Sequence, residues 1–192
     1  MGVFLASFML RDRRRPVEQR LALLPLLLLV DMFPRVTLIS MIPVGLALAW
    51  AGHWAPVPGW LVVAAVLVGA TWLALVVRQF RRPVPAIRKV DLVWRAVLML
   101  TAFGLAASSL AGAGPFPGWL GAKMGLFGVI LAGGLAIRLI PFEPALRELA
   151  RGSTPEREDA YARVQTQALA PVLTIWACLV VMTFLSVAKP SI

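Results

Sequence analysis

Apolar runs separated by short charged segments organise this chain from end to end. The runs cover residues 21–30 and 31–50, then 60–77, about 91–111, about 119–138 and about 169–187. Several approach or exceed the ~20 residues that carry a helix across a bilayer core. In lipid such a run becomes a helix, because a helix satisfies its own backbone hydrogen bonds. The expectation is an all-α, polytopic transmembrane helical bundle of about five spans, in a single membrane domain over 1–192. Residues 1–29 are expected to form partial or interfacial helices, 144–167 a cytoplasmic amphipathic helix, and 169–187 the last transmembrane helix.

The polar positions give the bundle a direction. Arg11, Arg13, Arg14, Arg15 and Arg20 precede the first span, "RQFRRPVPAIRK" follows the second, and Arg147, Arg151, Arg157 and Arg163 precede the last. The turns at 51–59 and 112–118 contain no lysine or arginine. Basic loops stay on the cytoplasmic side, so the two Pro-Gly turns are expected outside and, after five spans, the C-terminus as well. Trp54, Trp60 and Trp119 flank those turns, where indoles favour the headgroup layer.

The two external turns are nearly the same text. "PVPGWL" at 56–61 recurs as "PFPGWL" at 115–120, an offset of 59. With one residue of slip, Val30-Asp31 pairs with Val90-Asp91, Arg35 with Arg95, and Arg78 with Arg138. Two copies of one helical hairpin, about 30–78 and 90–138, explain both matches. An even number of spans separates equivalent points, so the copies run the same way, as in parallel repeats about an axis along the membrane normal. Gly59 and Gly118 are expected to allow the turns.

Charges inside spans are the candidate site residues, because burying them is costly unless they are paired. Asp31 and Arg35, like Asp91 and Arg95, stand at i,i+4 on one helix face and can pair locally. They read either as structural pairs fixing helix ends or as a proton or cation gate at the cytoplasmic mouth. Lys123 lies one turn inside Trp119 with no acidic neighbour in sequence, and reads as a snorkelling lysine or a ligand-facing cation. Arg138, matched to Arg78, reads as an anchor at a helix end.

Composition narrows the chemistry. The chain has 192 residues, 60% of them hydrophobic, 15% charged, and a net charge of +10. The arginines cluster between apolar runs, so anionic lipid headgroups are the expected partner and nucleic acid is not. One histidine, His53, sits in an external turn; a bis-histidine haem within this chain is therefore impossible. His53 as a metal or haem ligand would need partners from another chain. Cys178, the single cysteine, reads as a small packing residue, and Ser108 and Ser109 as back-bonding or packing groups. No catalytic, cofactor-binding or metal set emerges, and no cofactor is called for. The helix start Thr154-Pro155-Glu156 opens a charged stretch that reads as a solvated surface helix.

The apolar "MGVFLASFML" precedes "RDRRR", an order opposite to that of a signal peptide. It is expected to be the tail of a membrane helix or a short interfacial anchor. Through "DMFPR…PVGL" (31–45), "K…LF…R" (123–138) and the arginine-bearing helix before the last span, the chain resembles a group of uncharacterised bacterial inner-membrane proteins. That group is similar to the copper-resistance D (CopD-like) membrane family. The resemblance implies a helical bundle in the bacterial inner membrane, multi-pass, and distantly a link to copper or haem handling. Members of the wider family usually carry intramembrane histidines, which this chain lacks.

Three functional readings follow. A non-catalytic membrane subunit or scaffold, in a larger assembly or self-associated, fits the thin site chemistry and the small-residue faces at Ala102, Gly104, Ala106, Ala107 and at Gly125, Gly128, Ala132, Gly133. A small transporter or metal- or haem-handling permease fits the parallel repeat and the paired V-D-x-x-x-R. A membrane oxidoreductase with a cofactor borrowed from another chain is the third.

Overall fold

A computed structural model describes residues 16–82 and 84–189. The N-terminal "MGVFLASFML" and Arg11, Arg13, Arg14 and Arg15 lie outside the described residues. All regular structure described is helical: α1 (Val17–Leu21), α2 (Leu24–Ala51), α3 (Gly59–Arg81), α4 (Pro85–Leu110), α5 (Gly118–Leu139), α6 (Phe142–Ala150) and α7 (Pro155–Ala188). Five helical stretches are long and apolar enough to cross a membrane: Val17–Ala51, which joins α1 and α2, then α3, α4, α5 and α7. The chain is a multi-pass helical membrane protein.

Several boundaries differ from the sequence expectation. The helices carrying the two Asp-Arg pairs start earlier, at Leu24 and Pro85 instead of Asp31 and Asp91. Residues 24–30 thus extend a long span, continuous through Pro34 and Pro43. The segment at 144–167 is not one amphipathic helix. It breaks between α6 and α7, where Gly152 adopts φ +129°, a value favouring glycine. Pro155, with no N–H to donate, suits the first position of a new helix. Thr154 Oγ1 accepts the Arg157 N–H at 3.4 Å and so caps the helix start predicted there. From Pro155 the helix then runs on through Pro171 to Ala188.

Contacts divide the chain into two compact units. The first comprises residues up to Thr37 and Ala136–Val172. Its core forms around Leu149 and Tyr161, against which Val17, Leu24, Ala145 and Leu146 pack. Helix α6 supplies three of these from one face, the i, i+1, i+4 stripe of a short amphipathic helix.

The second unit comprises Leu38–Leu135 and the chain from Leu173 onward. Its core is Ala102, Phe127, Ile130, Leu131, Cys178 and Met182, joined by Leu38, Met41, Ile42 and Leu98. Cys178 is a buried packing residue. Helices α4 and α5 approach through small residues. A Cβ at Gly121 would lie 2.6 Å from Ser109 Cβ, and one at Gly125 would lie 3.4 Å from Ala106 Cβ. Gly104, by contrast, faces open space and takes no part in this contact.

The two Pro-Gly turns close alike. Gly52, His53 and Trp54 donate to Leu48, Trp50 and Ala49; Ala111, Gly112 and Ala113 donate to Ala107, Ser109 and Ser108. Every donor and acceptor is displaced by 59 residues. In both, the two outermost of these bonds form the left-handed helix-end motif in which C″ bonds C3 and C′ bonds C2. The left-handed residues are His53 (φ +51°) and Gly112 (φ +73°), not Gly59 and Gly118, which instead open α3 and α5.

Candidate functional site

Within the second unit, Asp91 and Arg95 sit one turn apart near the start of α4 and are 5% and 2% exposed. Arg95 Nε donates to both Asp91 oxygens, at 3.2 and 3.1 Å. Trp72, on α3, donates its indole Nε1–H to Asp91 Oδ1 at 2.8 Å. The Arg95 guanidinium lies 5.0 Å from the Trp72 ring centre, a cation–π contact. Trp94 meets Trp72 edge-on, with centroids 6.4 Å apart. A charge-assisted hydrogen bond and a guanidinium stacked on an indole replace the hydration both charges lose.

Two donors in this cluster have no hydrogen-bond partner among the described residues: Arg95 Nη2 and Trp94 Nε1. Beside Trp72 and Trp94 lies a cavity of about 40 Å³, lined otherwise by apolar residues such as Ile39, Pro43, Gly69 and Leu98. It has room for water. It falls far below the roughly 300–1,000 Å³ of a small-molecule pocket.

The other Asp-Arg pair lies in the first unit. Arg35 and Asp31 are bonded directly, yet their side chains remain 38% and 34% exposed. The first unit also contains a pair that local spacing does not reveal. Arg20, 1% exposed, makes a two-pronged contact with Glu158, at 2.6 and 3.0 Å. Ser153 adds a hydroxyl donor to Glu158 at 2.8 Å. Read from sequence, Glu158 belonged to a solvated face and Arg20 to a loop cluster; the structure buries both. Arg138 lies in the last turn of α5.

Lys123 donates to Ser186 Oγ at 2.7 Å, joining α5 to the end of α7. Its ammonium lies 5.9 Å from the Trp119 ring centre. Lys189, at the end of α7, places its ammonium 4.3 Å from the Trp54 ring and 6.0 Å from that of Trp119. The two indoles meet edge-on at 6.0 Å. Ser108 back-bonds to Leu105 O at 3.1 Å, while Ser109 is buried at the α4–α5 contact. His53 is a turn residue.

Among the described residues, no three His, Cys, Asp or Glu side chains gather to hold a metal ion. No protein-family model, curated protein or solved structure matches the chain.

Sequence reasoning missed Trp72, although the signal was present. Trp72 stands six residues before Arg78 and Asp91 three after Arg88. Both therefore lie within about two turns of the basic connection joining α3 to α4. An indole N–H so placed inside a span needs an acceptor, and Asp91 is the carboxylate within reach.

Proposed function

We propose that the chain is a non-catalytic subunit or scaffold of a larger assembly in the bacterial inner membrane, or of its own oligomer. The basic segments face the cytoplasm and anionic headgroups there, and the hairpins at 30–78 and 90–138 are parallel copies. One observation carries this reading: the deeply buried carboxylates are engaged in bracing helices. Asp91 ties α4 to α3 through Trp72 and neutralises Arg95; Glu158 ties α7 to Arg20. A gating carboxylate must exchange its partner during turnover, and removing one partner from such a pair is strongly destabilising.

Native mass spectrometry after mild detergent extraction, with cross-linking in intact membranes beforehand, tests the reading. The expected result is a defined stoichiometric complex, with other chains or with further copies. A chain that stays monomeric under both conditions would overturn it.

A second reading, a small transporter or CopD-like metal- or haem-handling permease, is favoured by the unpartnered Arg95 Nη2 and Trp94 Nε1 near a cavity that holds water-sized space. Proton or copper flux in liposomes, lost in Asp91→Asn with folding intact, would put this reading first.

A further inference from the structure

The second unit has a charge imbalance at one end. Asp91 is the one side-chain carboxylate in Leu38–Leu135 and Leu173–Ile192, and it is committed to Arg95 and Trp72. Lys123 and Lys189 converge on the Trp119 ring far from it. Gly121, two residues before Lys123, packs on Ser109. Ser109 stands 18 residues beyond Asp91 on α4, about 27 Å along the helix axis. Neither lysine forms an ion pair with a described residue; a hydroxyl and two indole faces are their polar and aromatic contacts.

The backbone holds this arrangement. Lys189 adopts φ +40° while its N–H caps Leu185 O at 3.2 Å. A left-handed turn at a residue other than glycine is disfavoured, and here it coincides with an ammonium set over Trp54. Trp54 in turn lies across Gly52, where a Cβ would meet its ring at 2.5 Å. Lys123 spends one N–H on Ser186 and retains two more donors.

We propose that Lys123, Lys189, Trp54 and Trp119 form a binding site for the phosphate group of an anionic phospholipid. Two ammoniums converging on one ring, with no carboxylate paired to either among the described residues, call for an anion. A lipid, rather than free phosphate, suits the place. Val187, which follows Ser186 near the end of α7, is 82% exposed and offers apolar surface for an acyl chain at the level of the cations. Indoles at this level are suited to the headgroup boundary. The site is independent of the subunit reading, because either a scaffold or a transporter could carry it.

The test measures lipid binding to the full-length protein by native mass spectrometry and by thermal unfolding, in mixed micelles containing phosphatidylglycerol or phosphatidylcholine. The expected result is at least tenfold tighter retention of phosphatidylglycerol, with a phosphatidylglycerol-specific rise in unfolding temperature. Lys123→Met with Lys189→Met should reduce both to the phosphatidylcholine level; Lys→Arg at both positions should retain most of the preference. If the double variant fails to fold, Lys189→Met alone, at an exposed position, should still lower the preference severalfold. Equal binding of the two lipids would overturn the proposal, as would a preference unchanged in Lys189→Met. Inorganic phosphate at millimolar concentration should neither stabilise the protein nor displace the lipid. If it does both, the site is one for a free anion and the lipid assignment fails.

Discussion

The two V-D-x-x-x-R segments are written alike and end in different surroundings. Each forms its i,i+4 pair, Arg35 with Asp31 and Arg95 with Asp91. The first remains about one-third exposed, whereas the second is nearly inaccessible and receives an indole hydrogen bond from Trp72 and a cation–π face from the same ring. The spacing in sequence therefore encodes the pair, and the neighbouring helix decides what it is worth. Exposed pairs contribute ~0–1 kcal/mol. Opening a buried pair costs ~3–5 kcal/mol, because the remaining charge stays in an apolar place. The turns at 51–59 and 112–118 differ far less: the same hydrogen bonds recur 59 residues apart, with histidine in one left-handed position and glycine in the other.

The largest expected effect is at Arg95. Arg95→Met strands the Asp91 carboxylate and should destabilise the protein by ~3–5 kcal/mol, read as a lower midpoint of unfolding in mixed micelles. Trp72→Phe keeps the ring and removes the N–H donated to Asp91. A loss of ~1–3 kcal/mol is expected, moving the second pair toward the first. His53→Gly relieves a left-handed histidine and should stabilise by ~1 kcal/mol, while Gly112→Ala should destabilise; identical responses at the two turns would undo their equivalence. Arg35→Met should have the smallest effect, below ~1 kcal/mol, in the same unfolding assay.

How much of this was legible in the sequence varies with the distance between partners. Helices and their order follow from apolar runs whose length is set by the bilayer, and the i,i+4 pairs follow from helical period. The cap at Thr154-Pro155 was equally local. The break at Gly152 was not recognised, because charged residues on both sides of it continue a plausible helical pattern. Arg20 and Glu158 are 138 residues apart, and alternating charges around Glu158 mimic a solvated face. Lys189 over Trp54 depends on where α7 ends relative to a distant turn, which spacing does not encode.

The buried Asp-Arg pair is a structural brace and its exposed counterpart is not. Two double-mutant cycles test it directly, Asp91→Ala with Arg95→Ala and Asp31→Ala with Arg35→Ala, each measured by reversible unfolding in the same mixed micelles. The expected coupling is at least ~2 kcal/mol for the first and at most ~0.5 kcal/mol for the second. Equal couplings, or a larger one at Asp31–Arg35, would contradict it.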